Sequence, residues 1–195
     1  KNGFVFDFKL KSFAIRKDKT VQLVKLGLPS SVQSIITNIS FLVMTALSNG
    51  IGVAAGAAVG IVGKFNSVAI LPVVAMSSSV SAIAAQNIAA DQQDRAMKVM
   101  KYGVAISLLV GGTVFAISQL FAEPIMLIFK DDDPLVTEMG VRYMRAFCFD
   151  YLFVAFLFNF NSLISASGHA VFTLISSAMS AIVLRAPVAI LLSRT

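Results

Sequence analysis

The fold is decided by residues 53–89, which read VAAGAAVGIVGKFNSVAILPVVAMSSSVSAIAAQNIA. This stretch is apolar on all sides and does not alternate between apolar and polar residues. It therefore predicts a membrane helix and not a strand of a membrane barrel. About 20 residues suffice to cross a bilayer, so the stretch is too long for one straight crossing. We expect it to tilt, to kink at Pro72 or to extend into the cytoplasm.

Four further apolar runs flank this one along the chain. The predicted membrane spans cover residues 26–47, 53–89, 102–121, 141–166 and 170–192. The composition agrees, because 57% of the 195 residues are hydrophobic and only 13% are charged, against about 25% charged in ordinary soluble domains. The mean hydropathy is +0.83. A water-soluble enzyme and a disordered chain are therefore excluded. The predicted fold class is an all-α integral membrane bundle of about five transmembrane helices.

The basic residues are distributed unevenly among the segments between these spans. Residues 1–25 carry seven Lys and Arg, and residues 91–101 carry three more. In residues 123–138, by contrast, the charged side chains are mostly acidic. Basic loops stay in the cytoplasm, so the N-terminus and residues 91–101 are predicted to be cytoplasmic and residues 123–138 external. The net charge of +6 fits this bias better than it fits a nucleic-acid partner.

The first 25 residues interleave cations with aromatic and aliphatic side chains. This pattern is typical of a segment that lies on the membrane surface, with its apolar side in the bilayer and its cations near anionic headgroups. We predict a cytoplasmic amphipathic lead-in over residues 1–25, followed by the membrane domain over residues 26–195. A solvated linker is the alternative interpretation of residues 1–25.

Several spans carry polar side chains that a plain membrane anchor lacks, and in lipid such groups need hydrogen-bond partners or a wet cavity. In the first span, polar residues and one methionine recur every three to four positions and so share a helix face. Such a face serves either helix–helix hydrogen bonding or the wall of a polar cavity. Amides and hydroxyls would orient a ligand there, and thioethers would adapt to varied apolar shapes. The substrate-cavity candidates are Gln33, Thr37, Ser40, Met44, Met76 and Asn159.

Asp150 and Arg185 are predicted to pair within the membrane. They lie about nine and seven residues from the external ends of their spans, so their depths are similar. An unpaired charge at that depth is costly. The pair either fixes two helices, or Asp150 is a protonatable carboxylate that exchanges Arg185 for a proton or another cation during transport.

Other motifs indicate packing and not chemistry. Gly52, Gly56 and Gly60 form a stripe that lets another helix approach closely, and they lack the Gly-Lys-Ser/Thr ending of a phosphate loop. The acidic run 131–133 lacks calcium-loop spacing. One cysteine, Cys148, and one histidine, His169, supply neither a catalytic set nor a metal site. We therefore expect no enzyme activity, no metal and no cofactor.

The order of the local motifs carries a family resemblance. The motifs are Lys25-Leu26-Gly27-Leu28-Pro29 followed by Gln33, Ala54–Gly60 opening a long helix with Pro72, Ala85-Gln86-Asn87-Ile88-Ala89-Ala90 before residues 91–96, Ala166-Ser167-Gly168, and Leu184-Arg185-Ala186-Pro187. This order resembles one lobe of a multidrug and toxin extrusion (MATE) transporter, in a superfamily that includes lipid-linked oligosaccharide flippases. Gln-Asn-Ile-Ala-Ala stands where the family usually has Gly-Ala.

The resemblance implies a transporter of two six-helix lobes, of which this chain is similar to helices seven to eleven of the C-terminal one. The implied function is secondary active efflux of small amphipathic organic cations across the cell inner membrane, in exchange for H⁺ or Na⁺. The implied partners are the lipid bilayer and the missing N-terminal lobe. Some members carry coupling carboxylates at positions that correspond here to Thr37 and Phe156. Because neither Thr37 nor Phe156 is a carboxylate, the resemblance does not imply that these two positions couple transport to an ion.

Two alternatives stay open. A lipid-linked oligosaccharide flippase would need strong cations inside the cavity, and Arg185 is the candidate for that role. A non-transporting membrane assembly module would use its polar faces entirely for helix packing. Five crossings would place Thr195 outside, and the odd number suggests a missing partner helix. The piece alone is therefore expected not to transport.

Overall fold

A computed structural model describes residues 17–129 and 133–179, and every regular element in these ranges is an α-helix. The helices are α1 (Lys17–Ile51), α2 (Val53–Ala69), α3 (Leu71–Ala89), α4 (Gln93–Leu120), α5 (Ala122–Ile128), α6 (Pro134–Phe147), α7 (Asp150–Ala166) and α8 (Ala170–Met179). The predicted all-α membrane fold class is confirmed.

Three helices in the described ranges are long and apolar enough to cross a membrane, namely α1, α3 and α4. A fourth crossing is formed if α6 and α7, which meet at an angle of 43°, count as one broken span. The short apolar helix α2 continues into α3. Of the predicted span 170–192, the described part is α8, and the remainder lies outside the described residues.

The start of α1 differs from the prediction. Within the described residues the helix already includes Lys17, so residues 17–25 are continuous with the membrane helix. Residues 17–26 contain neither glycine nor proline, so nothing in the local sequence separates them from the following helix. Pro29 lies inside α1. Residues 1–16 of the predicted lead-in lie outside the described residues.

The long run 53–89 divides at Ile70 into α2 and α3. The break lies two residues before Pro72, whose ring nitrogen cannot donate to the carbonyl group one turn earlier. The two parts have different neighbours, because α2 packs against α1 and α6, whereas α3 packs against α4 and α7. The predicted kink is therefore present, and it changes the helices that this span contacts.

The predicted span 141–166 is also divided. Its first part, α6, begins at Pro134 because Asp133 caps it, with the Asp133 carboxylate accepting from the Leu135 amide at 2.9 Å. The chain leaves α6 after Phe147 and enters α7 at Asp150. Helix α6 packs on α2 and α7 packs on α3, so this break, like the one at Ile70, separates two helices with different neighbours.

The helices therefore form two groups with separate cores. In the first group, α2, α5 and α6 enclose an apolar cluster: Ala58, Ile61, Val62, Ala122, Ile125, Met126, Val136 and Met144. In the second group, α3, α4 and α7 pack together, with Val80, Met100 and Val104 forming a smaller buried cluster. Helix α1 packs against α2 and α8, and α8 also contacts α7.

The third span also begins earlier than predicted. Helix α4 starts at Gln93, so the basic residues of the expected loop 91–101 lie on the first turns of this helix. The connection is a short turn after Ala89, in which Asp91 has a φ of 58°. The connection is therefore three residues long, Ala90 to Gln92, where the sequence predicted a loop of eleven residues.

Candidate transport site

The Gln33 side chain links α1 to α8. Its Nε2 donates a hydrogen bond to Ser177 Oγ at 2.7 Å. One turn later, the Thr37 hydroxyl donates to the carbonyl oxygen of Gln33 at 2.9 Å. Ser40, on the same face, is buried. In this conformation the polar groups of Gln33 and Thr37 are used in hydrogen bonds within the lobe.

Asn159 lies in α7 at the centre of the second group of helices and is fully buried. Its Nδ2 donates to Ser107 Oγ in α4 at 2.9 Å and to the Ala155 carbonyl oxygen at 2.7 Å. No donor among the described residues reaches its Oδ1, which is also buried. The amide therefore joins two helices in the core, and its carbonyl oxygen can accept one more hydrogen bond.

The two methionine candidates, Met44 in α1 and Met76 in α3, are half-buried. They belong to helices that the described part of the structure does not pack closely together, because α1 contacts α2 and α8 whereas α3 contacts α4 and α7. The six predicted cavity residues thus do not form one cluster in this lobe.

Asp150 is the first residue of α7 and stands at the break that follows α6. It is half-buried. Its predicted partner, Arg185, lies outside the described residues, so the pair stays a prediction. Its position in the first turn of α7 stabilises the charged carboxylate, because a negative charge there interacts favourably with the helix dipole.

The break between α6 and α7 is bonded to α4 through one side chain. Gln119 Nε2 donates to the Arg145 carbonyl oxygen at 3.0 Å and to Cys148 Sγ at 3.2 Å. The Cys148 thiol in turn donates to the same carbonyl oxygen at 3.0 Å. A carbonyl group that the broken helix leaves without a backbone partner is thereby satisfied inside the bundle.

The glycine stripe is a packing surface at one of its three positions. A methyl group on Gly56 would collide with the Asn49 side chain of α1, so α1 and α2 approach each other closely there. The same change at Gly52 or Gly60 would meet no atom of the described residues within 4 Å. Among the described helices, the contact expected of all three glycines is therefore present at Gly56 alone, and Gly60 lies on the exposed face of α2.

Lys64 lies on that exposed face and is the one charged residue between Lys25 and Asp91. Among the described residues it has no ion-pair partner. No sequence motif marks Lys64 as functional, and its isolation in a long uncharged stretch is the one sequence feature that distinguishes it.

A groove of about 620 Å³ lies between α5 and α6. Charged residues of both signs line it, and within it Arg142 Nη2 and Glu138 Oε1 form an exposed ion pair at 2.6 Å. The full lining is Glu123, Leu127, Pro134, Thr137, Glu138, Val141, Arg142 and Arg145. It contains none of the six predicted cavity residues. Over residues 17–129 and 133–179, no three His, Cys, Asp or Glu side chains come together as metal ligands.

A model of the MatE family matches residues 29–191 of this chain. The chain belongs to the MatE family. Its members are membrane transporters and not enzymes, and the chain is accordingly part of a multi-pass membrane protein.

Two curated relatives of the chain come from Bacillus subtilis (strain 168). The chain is 26% identical to the probable multidrug resistance protein YoeA, over 99% of the chain and 42% of that protein. It is 24% identical to the probable multidrug resistance protein YpnP, over 97% of the chain and 43% of that protein. The chain thus spans about two fifths of the length of these relatives.

The MatE fold is also seen in a solved structure. A MOP superfamily transporter from Pyrococcus furiosus superposes with a TM-score of 0.74 at 20% identity, over 88% of this chain and 41% of that chain. The sequence therefore predicted the fold of this MatE chain, whereas Asn159, predicted as a cavity residue, is buried between α4 and α7. It missed Lys64 and the role of Gln119, because neither residue belongs to a recognisable motif.

Proposed function

We propose that the full-length protein is a secondary active exporter that exchanges small amphipathic organic compounds, including organic cations, for H⁺ or Na⁺. The observation that carries this proposal is the MatE match over residues 29–191. The names of the Bacillus relatives, which are probable multidrug resistance proteins, support a broad range of substrates. No cofactor other than the coupling ion is proposed.

In this proposal the chain contributes one lobe, the C-terminal one, and a second lobe in the same protein completes the transport pathway. Transporters built from two repeats bind substrate near the membrane midplane between them and open alternately to each side. The span of two fifths of the relatives' length fits one lobe of such a pair. We further propose the cell inner membrane as the location and a cytoplasmic N-terminus, from the distribution of Lys and Arg.

The lobe offers different groups to substrate and to coupling ion. Met44 and Met76 are half-buried and can adapt to apolar substrates. We propose that Ser40 joins them when the lobe changes conformation, and that Gln33, Thr37 and Asn159 mainly hold helices together. Asp150, at the start of α7, is the carboxylate proposed to pair with Arg185 and to take part in coupling.

One observation favours a second candidate function. Lys64 is a membrane-helix cation on an exposed face, and a flippase of lipid-linked oligosaccharides would need such cations to hold a phosphate group. This alternative predicts transport of a large lipid phosphate and no change in sensitivity to small toxic compounds.

The proposed function is tested in a bacterial strain that lacks its own multidrug exporters. Cells expressing the full-length protein should accumulate less ethidium than cells with an empty vector. The difference should disappear when the membrane gradients of both H⁺ and Na⁺ are collapsed. Equal accumulation in energised cells with and without the protein would contradict the proposal.

A further inference from the structure

Lys64 occupies an unusual position for a charged residue. It is the one charge in the uncharged run from residue 26 to residue 90, and it lies in the apolar helix α2. Ala58, Ile61 and Val62 of the same helix are buried in the core of the first helix group. Lys64 itself is exposed, and within the described part of the chain no acidic side chain pairs with it.

The surface around Lys64 is open. Gly60 and Ser67 lie four and three residues from Lys64 on the same helix face, Gly63 directly precedes it, and all three are exposed. A methyl group on either glycine would meet no atom of the described residues within 4 Å. The Ser67 hydroxyl donates to the Gly63 carbonyl oxygen of its own helix at 2.9 Å. The helix surface beside Lys64 therefore carries almost no side-chain atoms, and it leaves room for a group larger than a side chain.

A cation in this setting needs water or an opposite charge. Lysines close to the end of a membrane helix reach the interface with their flexible stems. Lys64 lies eleven residues beyond Val53, which is about 17 Å along the helix. Its exposed face must therefore border a wet space or a negative group. In the two-lobe transporter proposed above, we assign this surface to the side that faces the transport pathway.

We propose that Lys64 binds the acidic group of an exported compound, so that the substrates include amphipathic organic acids and zwitterions. This inference rests on the proposed export function and specifies its substrate class. A substrate is favoured over a fixed carboxylate of the protein because Gly60 and Gly63 leave space beside the ammonium group. A permanently paired lysine does not require that space.

The test uses two dyes that differ at one group. Rhodamine 110 carries a free carboxylate, and rhodamine 123 is its methyl ester. Binding of each dye to the purified full-length protein in neutral detergent is measured by fluorescence anisotropy. We expect the wild type to bind the acid more tightly than the ester, and we expect this preference to fall as ionic strength rises.

The variants isolate the charge of Lys64. Lys64→Gln should weaken binding of the acid by about tenfold and leave binding of the ester within about twofold. Lys64→Arg should keep the preference for the acid. The control is Lys98→Gln, which removes an exposed lysine at the start of α4 and should change neither affinity.

Three outcomes would overturn the proposal. These are a wild type without preference for the acid, an equal loss of both dyes in Lys64→Gln, and a preference that survives in Lys64→Gln. An equal loss would indicate that Lys64 pairs with the protein itself. Since this measurement is binding and not transport, an intact acid preference in a protein that exports nothing would contradict the export function alone.

Discussion

Asn159 in α7 and Ser107 in α4 are joined by a hydrogen bond of 2.9 Å, and both side chains are fully buried. The bond links two helices whose remaining contacts are mainly apolar. Within a membrane the hydrophobic effect does not drive helices together, so close packing and hydrogen bonds of this kind stabilise their association. Asn159 is therefore better explained as a link in the core than as a wall of the transport pathway.

The link between Asn159 and Ser107 can be measured by a double-mutant cycle. Asn159→Ala, Ser107→Ala and the double variant of the full-length protein are compared by reversible unfolding in detergent. We expect a favourable coupling energy of about 0.6 kcal/mol, with about 1.7 kcal/mol as the upper range for interhelical hydrogen bonds in membranes. Strictly additive effects would show that the hydrogen bond contributes nothing to stability.

Two adjacent glycines of α4 should respond in opposite ways to the same substitution. A methyl group on Gly111 would lie 2.8 Å from the Tyr151 carbonyl oxygen, whereas one on Gly112 would meet nothing within 4 Å. Backbone cannot move aside as a side chain can, so Gly111→Ala should destabilise by about 1–3 kcal/mol. Gly112→Ala should be neutral or stabilise by up to about 1 kcal/mol through helix propensity. Thermal unfolding in detergent compares them, and equal melting temperatures would refute the close approach of α4 and α7.

Gln119 should stabilise the break between α6 and α7. Gln119→Leu removes the donor to the Arg145 carbonyl oxygen and leaves the Cys148 thiol as the donor to it. We expect a loss of about 1 kcal/mol in the free energy of unfolding. Thr113→Val is the matched control, because the exposed Thr113 hydroxyl bonds within its own helix α4. A larger loss in the control than in Gln119→Leu would argue against this role.

The orientation in the membrane is tested by labelling single cysteines in a Cys148→Ser background. Gln92 lies in the turn between α3 and α4, and Leu135 is exposed at the start of α6. If the basic end is cytoplasmic, an impermeant thiol reagent added to intact cells should modify Leu135→Cys and spare Gln92→Cys. The reverse pattern would invert the proposed topology.

The sequence predicted the fold class and the approximate membrane helices, since runs such as residues 102–121 are continuously apolar. It placed helix ends less well, because α4 extends to Gln93 through residues whose helix propensity is high and whose charge suggested a loop. The break at Ile70 followed from Pro72. The break after Phe147 has no proline, so only the three-dimensional packing reveals it.

The candidate site was predictable only in part. The periodicity of Gln33 and Thr37 correctly placed them on one face of α1, but periodicity cannot tell a helix neighbour from a cavity. That distinction depends on Ser177, which is far away in sequence and lies 2.7 Å from Gln33 Nε2 in space. Lys64 was not predicted as a functional residue, because a single lysine within a long apolar run belongs to no recognisable motif.

The most direct measurement is transport by the purified full-length protein in liposomes. Ethidium movement is followed by fluorescence while inward gradients of H⁺ and Na⁺ are imposed separately. An ion-coupled exporter should move ethidium against its gradient with at least one of the two ions, and a protonophore or Na⁺ ionophore should abolish that movement. Liposomes that show the same ethidium fluorescence with and without either gradient would contradict secondary active export.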